Sequence, residues 1–300
     1  MRNSTARVGA TLEAMSVTTD RRLWESIADS DAEVPPGLTA GELLPSLLDL
    51  LGEHDPYLRD DVGYSVLARW VVQDQLLGPD ELRYAVERLT PDLRIGLDGG
   101  GDDQAAVRRS YSALALALLA FRDVEDHFLD PNEVDRLLDA AVAYLLDETD
   151  RRGYVPGLGW INATAHAADL LKFLVRNPFT DTAHHRRVLG ALQALLTRTT
   201  GPVFIDDEED RLVLVVVDVI GRETIGDDEL CDWIDRFGSW LADQAGSFDP
   251  PARAATVNLK RFIRTLHLAL SSRAHRRGLP FDKAEVAALD IARRFAAGPI

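Results

Sequence analysis

The chain is poor in several things at once. Among 300 residues it has one cysteine, two methionines and, by direct count, three lysines against thirty arginines. Aromatic residues make up only 7%. A single cysteine, Cys231, excludes any intrachain disulfide and fits a reducing compartment, so a cytoplasmic location is expected. Positive charge is also short: 33 basic residues face 49 acidic ones, for a net charge of −16. That balance argues against a nucleic-acid binder, whose phosphate contacts need a basic footprint, and against an anionic membrane surface. The arginine-for-lysine skew is what a GC-rich genome or a salt-adapted host produces, so the arginine surplus alone says little about phosphate binding.

Long apolar runs are missing as well. The longest, Ala113–Phe121 and Leu212–Val217, fall far short of the roughly 20 residues that span a bilayer. Met1 to Asp20 has no continuous apolar stretch of the kind a signal peptide carries. The catalytic and nucleotide-binding signatures G-x-x-x-x-G-K-[ST], G-x-S-x-G, H-E-x-x-H and C-x-x-C do not occur, which removes several common enzyme classes and implies no cofactor.

What is there is helical spacing almost everywhere. Hydrophobic residues make up 46% of the chain, enough for a sizeable core. Leu43, Leu44, Leu47, Leu48 and Leu51 form one stripe, Val66, Leu67, Trp70 and Val71 a second, and Leu137, Leu138, Ala141, Tyr144 and Leu145 a third. These are i, i+3, i+4 patterns. Pro131 and Asn132 precede a helix over Glu133–Glu148, and Gly153 follows it. The Val-rich segment Leu212–Ile220 reads as helix because no partner strand is evident. Ten to twelve helices result, paired about every 40 to 47 residues as in HEAT or armadillo arrays.

The expected fold is therefore all-α: an α-solenoid or α/α superhelix of degenerate HEAT/armadillo-like helix pairs. Residues 1–20 read as a flexible tail. Length alone suggests two domains, but no linker divides the rest, so 21–300 reads as one helical domain.

The most unusual stretch runs from Asp147 to Leu171. An acidic helix end leads into a loop with three glycines, and a second helix opens at about Trp160. On that helix Asn162, His166 and Asp169 stand at i, i+4 and i+7, on one stripe. Such a stripe can carry acid/base chemistry, with His166 as acid or base, Asp169 orienting it, and Glu148 or Asp150 as a second carboxylate. Arg109 and Arg152 would clamp an anionic substrate, with Tyr154 and Trp160 as stacking walls. The plainer reading is a helix-hairpin turn with a satisfied His–Asp hydrogen bond.

A second cluster is Arg59-Asp60-Asp61-Val62-Gly63-Tyr64, and a third is Arg108-Arg109-Ser110-Tyr111-Ser112. Arginines entering a buried helix must be paired or face a ligand. Arg109 could bridge to Asp60 or Asp150, or line an anion site with Arg59, Asp60, Tyr64 and Ser110.

Three further features read as plain. Asp98–Asp103 is a loop without the oxygen spacing of a calcium site. Asp206–Asp210 is an acidic helix start. His184-His185 lies on an exposed helical face.

At these residues the sequence resembles an uncharacterised bacterial family, a domain of unknown function. The resemblance rests on Arg59-Asp60-Asp61 with Gly63-Tyr64, on Arg109-Ser110-Tyr111-Ser112-Ala113-Leu114, on Asp150 through Leu171, and on Asn258 with Arg261-Phe262-Ile263-Arg264. It implies an all-helical fold with no established activity, and it gathers these clusters in one concave groove. The family pattern often carries His where this chain has Asn162. H-x-x-x-H-x-x-D could hold a divalent metal, whereas an amide is a poor zinc ligand, so no metal is expected.

Two functions remain open on sequence: a helical-repeat scaffold that binds a peptide, a protein partner or a small anionic ligand, and an α/α hydrolase using His166 and Asp169.

Overall fold

The computed structural model describes residues 20–97, 102–272 and 278–296. Residues 1–19 of the expected tail and 98–101 of the expected Asp98–Asp103 loop lie outside them. The structure is 70% helical, with twelve α-helices and one two-stranded hairpin among the described residues, so the fold is all-α. Two compact units emerge, one of residues 1–128 with 155–160, the other of 129–154 with 161–300.

The first unit opens with α1 (Arg21–Asp29) and α2 (Ala40–Leu50). Thr39 and Glu42 close a reciprocal capping box at the start of α2, satisfying two amides that no helical carbonyl can reach. Then comes a helix of mixed pitch, wide and π-like over Tyr57–Tyr64 and Arg69–Gln73, and α-helical over Ser65–Ala68 (α3). α4 (Pro79–Leu89) and α5 (Asp103–Asp126) follow, and residues 155–160 join the unit from farther along the chain. The two leucine and tryptophan stripes are buried as their spacing demands: Leu47, Leu48, Leu67 and Trp70 have no measurable exposure. Trp24 and Trp70 meet at 6.1 Å, and each indole N–H finds an oxygen, Ser46 Oγ and the Ala32 carbonyl.

The second unit contains α6 (Pro131–Asp147), α7 (Ala163–Leu174), α8 (Thr182–Leu196), α9 (Glu208–Gly221), α10 (Asp227–Asp243), α11 (Pro250–Ser271) and α12 (Asp282–Arg294). Within it, α7 packs on α6 and α9, α11 on α9 and α12, and α10 on α12. Its aromatic centre is Trp233, Phe237 and Phe262, in edge-to-face contacts at 4.7–6.1 Å. The Val-rich segment is helical, as expected: Leu212, Val215, Val216 and Val219 are all fully buried, and burial outweighs the intrinsic strand preference of valine.

Three expectations need correction. α6 starts at Pro131 because Asp130 caps it with Glu133, putting the proline in the first turn where its missing N–H costs nothing. α7 starts at Ala163 rather than near Trp160. Before it, β1 (Tyr154–Val155) and β2 (Gly159–Trp160) form a hairpin, and Gly157 and Gly159 take the positive φ its turn requires, +83° and +84°. His185 is not on an exposed face but fully buried, contacting the Val175 carbonyl and the hydroxyls of Thr180 and Thr224. Its neighbour His184 turns outward and caps Asp181.

Candidate functional site

The expected site residues fall into two sets, one in each unit. In the first unit, Arg59 is fully buried on the wide helix. Its Nε meets Asp60 at 2.8 Å, Nη1 donates to the Glu53 carbonyl and Nη2 to the Leu158 carbonyl at 2.8 Å. The guanidinium also stacks over the Tyr111 ring at 4.6 Å. Burial, with an added hydrogen bond to Asp60, pushes the Tyr111 phenol far above its ordinary value. The arginine thus spends its donors on chain groups, and the hairpin strand ending in Gly159 is seated on it. A β-carbon at Gly159 would lie 2.9 Å from Arg59 Nη2 and 2.9 Å from Pro56 Cβ. Arg109 is buried and donates to the Ile95 carbonyl at 2.6 Å. Ser110 has no exposure, Tyr64 is half-buried, and Trp160 is exposed. Tyr111 belongs to the third cluster but not to the expected site residues, because a tyrosine before an apolar run looks like ordinary core.

In the second unit, the turn after α6 carries Glu148, Asp150, Arg151, Arg152 and Gly153. Glu148 is buried and accepts from the Asp150 amide at 2.8 Å. Asp150 is gripped by the Arg152 guanidinium at 2.6–3.2 Å, a two-residue ring at the surface. Tyr154, at the end of this turn, is exposed.

Asn162, His166 and Asp169 do follow one another along the start of α7: the Asn162 carbonyl accepts from the His166 amide. His166 and Asp169 are both buried. Asp169, however, is bracketed by cations, with Lys172 Nζ at 3.0 Å on one oxygen and Arg211 Nη1 at 2.8 Å on the other. Arg211 comes from α9, so this ion triad ties α9 to α7.

The loop between α8 and α9 closes the assembly. Asn258 on α11 accepts from the Phe204 amide and donates to the Pro202 carbonyl, and Arg261 donates to the Phe204 carbonyl. Pinned there, the loop brings Asp206 so close to Gly153 that a β-carbon would sit 1.5 Å from Asp206 Oδ2, and brings Gly201 against Arg151 Nη1. Burial pushes the Glu209 carboxyl up, opposed by the nearby charge of Arg261.

The residue that sequence reasoning missed is Arg151. It is nine-tenths buried and its Nη2 has no hydrogen-bond partner among the described residues. Burial, with the charge of Arg198 second, pushes its guanidinium down to about 10. Nothing in R-R-G says which arginine will face inward; the register of the turn decides. Among the described residues no group of three or more His, Cys, Asp or Glu could hold a metal ion.

A protein family of unknown function, DUF2785, matches residues 96–268, more than half of the chain. The chain belongs to this family. The DUF2785 match takes in Arg109, the Asp147–Leu171 stretch and Asn258 with Arg261, and leaves Arg59 and Asp60 outside it. No curated protein and no solved structure matches the chain.

Proposed function

We propose that this member of DUF2785 is a helical binding protein whose second unit takes a small anionic ligand, rather than a hydrolase. The observation that carries this reading is the state of Asp169. An acid/base pair needs its carboxylate turned to the histidine, and both Asp169 oxygens are engaged by Lys172 and Arg211. Glu148 is spent on a turn amide and Asp150 on Arg152, so the carboxylates expected to do chemistry are committed to holding the chain. No observation favours the hydrolase.

A HEAT- or armadillo-like stack is the architecture this reading carries, supported by helices that pack on sequence-near neighbours within each unit. Among the described residues no helix is long and apolar enough to cross a membrane. A cytoplasmic setting and the absence of nucleic-acid and membrane partners belong to the same proposal; the lone cysteine and the charge of −16 support them.

The test is titration calorimetry of the full chain against inorganic phosphate, sulfate and simple di- and tricarboxylates, with His166→Ala alongside. Saturable binding of at least one anion, retained in His166→Ala, is the expected result. No saturable heat from any of them overturns the anionic-ligand reading.

A further inference from the structure

Every other buried arginine described above has an oxygen to hold. Arg59 has Asp60 and two carbonyls, and Arg109 has the Ile95 carbonyl. Arg151 differs. Among the described residues its side chain makes no hydrogen bond and no ion pair, although it is nine-tenths buried in a chain with 49 acidic residues. The carboxylate adjacent to it in sequence, Asp150, has gone to Arg152 at the surface. Glu148 lies close enough to be felt, but Arg198 is felt more strongly. Arg198, half-buried in the loop just after α8, likewise makes no side-chain hydrogen bond or ion pair among the described residues.

A buried guanidinium with an unpartnered nitrogen is costly, since burial disfavours its charge and the positive charge of Arg198 opposes it more than the Glu148 carboxylate favours it. Such an arrangement calls for negative charge supplied from outside the chain. The wall beside Arg151 is also built: Gly201 lets the loop backbone come so near that a β-carbon there would be 3.3 Å from Arg151 Nη1. The Asn258 and Arg261 side chains hold the following residues Pro202–Phe204 in place. Thr199, Thr200, Gly201 and Pro202 are solvent-exposed, so an approaching ligand meets the site at this loop.

We propose that Arg151 and Arg198 form a recognition site for a phosphoryl dianion, walled by the Gly201–Pro202 loop. Planar guanidinium forks match phosphoryl oxygens, and two of them balance the charge of a phosphomonoester of about −1.5 to −2 at neutral pH. Arg151 supplies the buried, pre-oriented donors and Arg198 the second cation, from the loop that follows α8. Asn258 and Arg261 are positioning residues that fix the loop. The proposal rests on the anionic-ligand reading above and names its ligand class.

The experiment measures thermal midpoints and calorimetric affinity for inorganic phosphate at constant ionic strength, with the full chain as wild type, Arg151→Met and Arg198→Met. Methionine keeps the apolar stem of the arginine and removes the charge. Phosphate is expected to raise the wild-type midpoint and to bind each variant at least ten-fold more weakly. Without ligand, Arg151→Met is expected to melt no lower than wild type, because an uncompensated buried charge has been removed; a purely structural arginine would give a lower midpoint.

Wild-type phosphate affinity retained within two-fold in both variants overturns the site and leaves the anionic-ligand reading standing. Saturable binding of a dicarboxylate but not of phosphate overturns the phosphoryl assignment. No binding of any anion overturns both. Should Arg151→Met fail to fold, the half-buried Arg198→Met carries the same test.

Discussion

At the residue scale, paired and unpaired buried charge divide the molecule's polar interior. Arg59 shows the paired case. Its guanidinium is fully buried and every direction is answered, by Asp60, by the Glu53 and Leu158 carbonyls and by the Tyr111 face. Removing one partner of such a pair strands the rest, so Arg59→Met is expected to lose roughly 3–5 kcal/mol of stability in urea unfolding; a loss below about 1 kcal/mol would contradict it.

His185 shows a neutral strut. Burial is the main cause that holds its pKa below the ordinary value; Arg222 and His184 push the same way, and the Val175 carbonyl and Asp181 oppose. The unfolded chain therefore takes the proton first. Stability is fully present above about pH 6.5 and falls as pH drops below it. Substituting His185→Gln should flatten that fall in thermal midpoints between pH 7 and 5; an unchanged slope would place the sensitivity elsewhere. Cys231 is less reactive than an ordinary thiol, because burial and then Asp235 and Asp227 raise its pKa.

At the scale of elements, the hairpin of β1 and β2 separates two costs that glycine avoids. Gly157 and Gly159 have nearly the same positive φ, but only Gly159 has close neighbours, Arg59 Nη2 and Pro56, while nothing lies within 4 Å at Gly157. Gly157→Ala should cost only the left-handed backbone term, about 1–2 kcal/mol, and Gly159→Ala distinctly more in the same denaturation assay. Equal losses would mean that the seat on Arg59 contributes nothing.

This hairpin also marks where sequence reading stopped. Helix stripes were legible because local 3.6-residue spacing meets a core, as at Leu43 to Leu51. The Arg59–Leu158 contact joins residues 99 apart and leaves no periodic signature. His185 looked exposed because it stands in a polar run, H-H-R-R; its burial depends on the carbonyl of Val175 in the preceding turn, which no pattern within α8 announces. The expected clamp Arg152 is bonded to Asp150, and it is Arg151 that the turn buries, which the sequence R-R-G does not announce. Asn258 and Arg261 were visible as a motif, but their task of pinning Pro202–Phe204 became clear only once the loop was placed.

At the scale of the whole molecule, a net charge of −16 acts on two compact units. Like charge opposes compaction, and raising salt from about 10 mM to 0.15 M shortens the screening length from about 30 to 8 Å. The thermal midpoint in sodium chloride is therefore expected to rise over that range; a fall would show that surface ion pairs such as Arg186–Glu229 outweigh the general repulsion. Against this acidic background the proposed Arg151–Arg198 site would concentrate positive charge.

The most direct measurement follows the arginine side-chain Nε–Hε NMR signals during a phosphate titration, assigned with Arg151→Met and Arg198→Met. Saturable movement of those two signals, with Arg59 and Arg109 unmoved, is the predicted result. Small, unsaturating shifts spread across all arginines, or none at all, would contradict it.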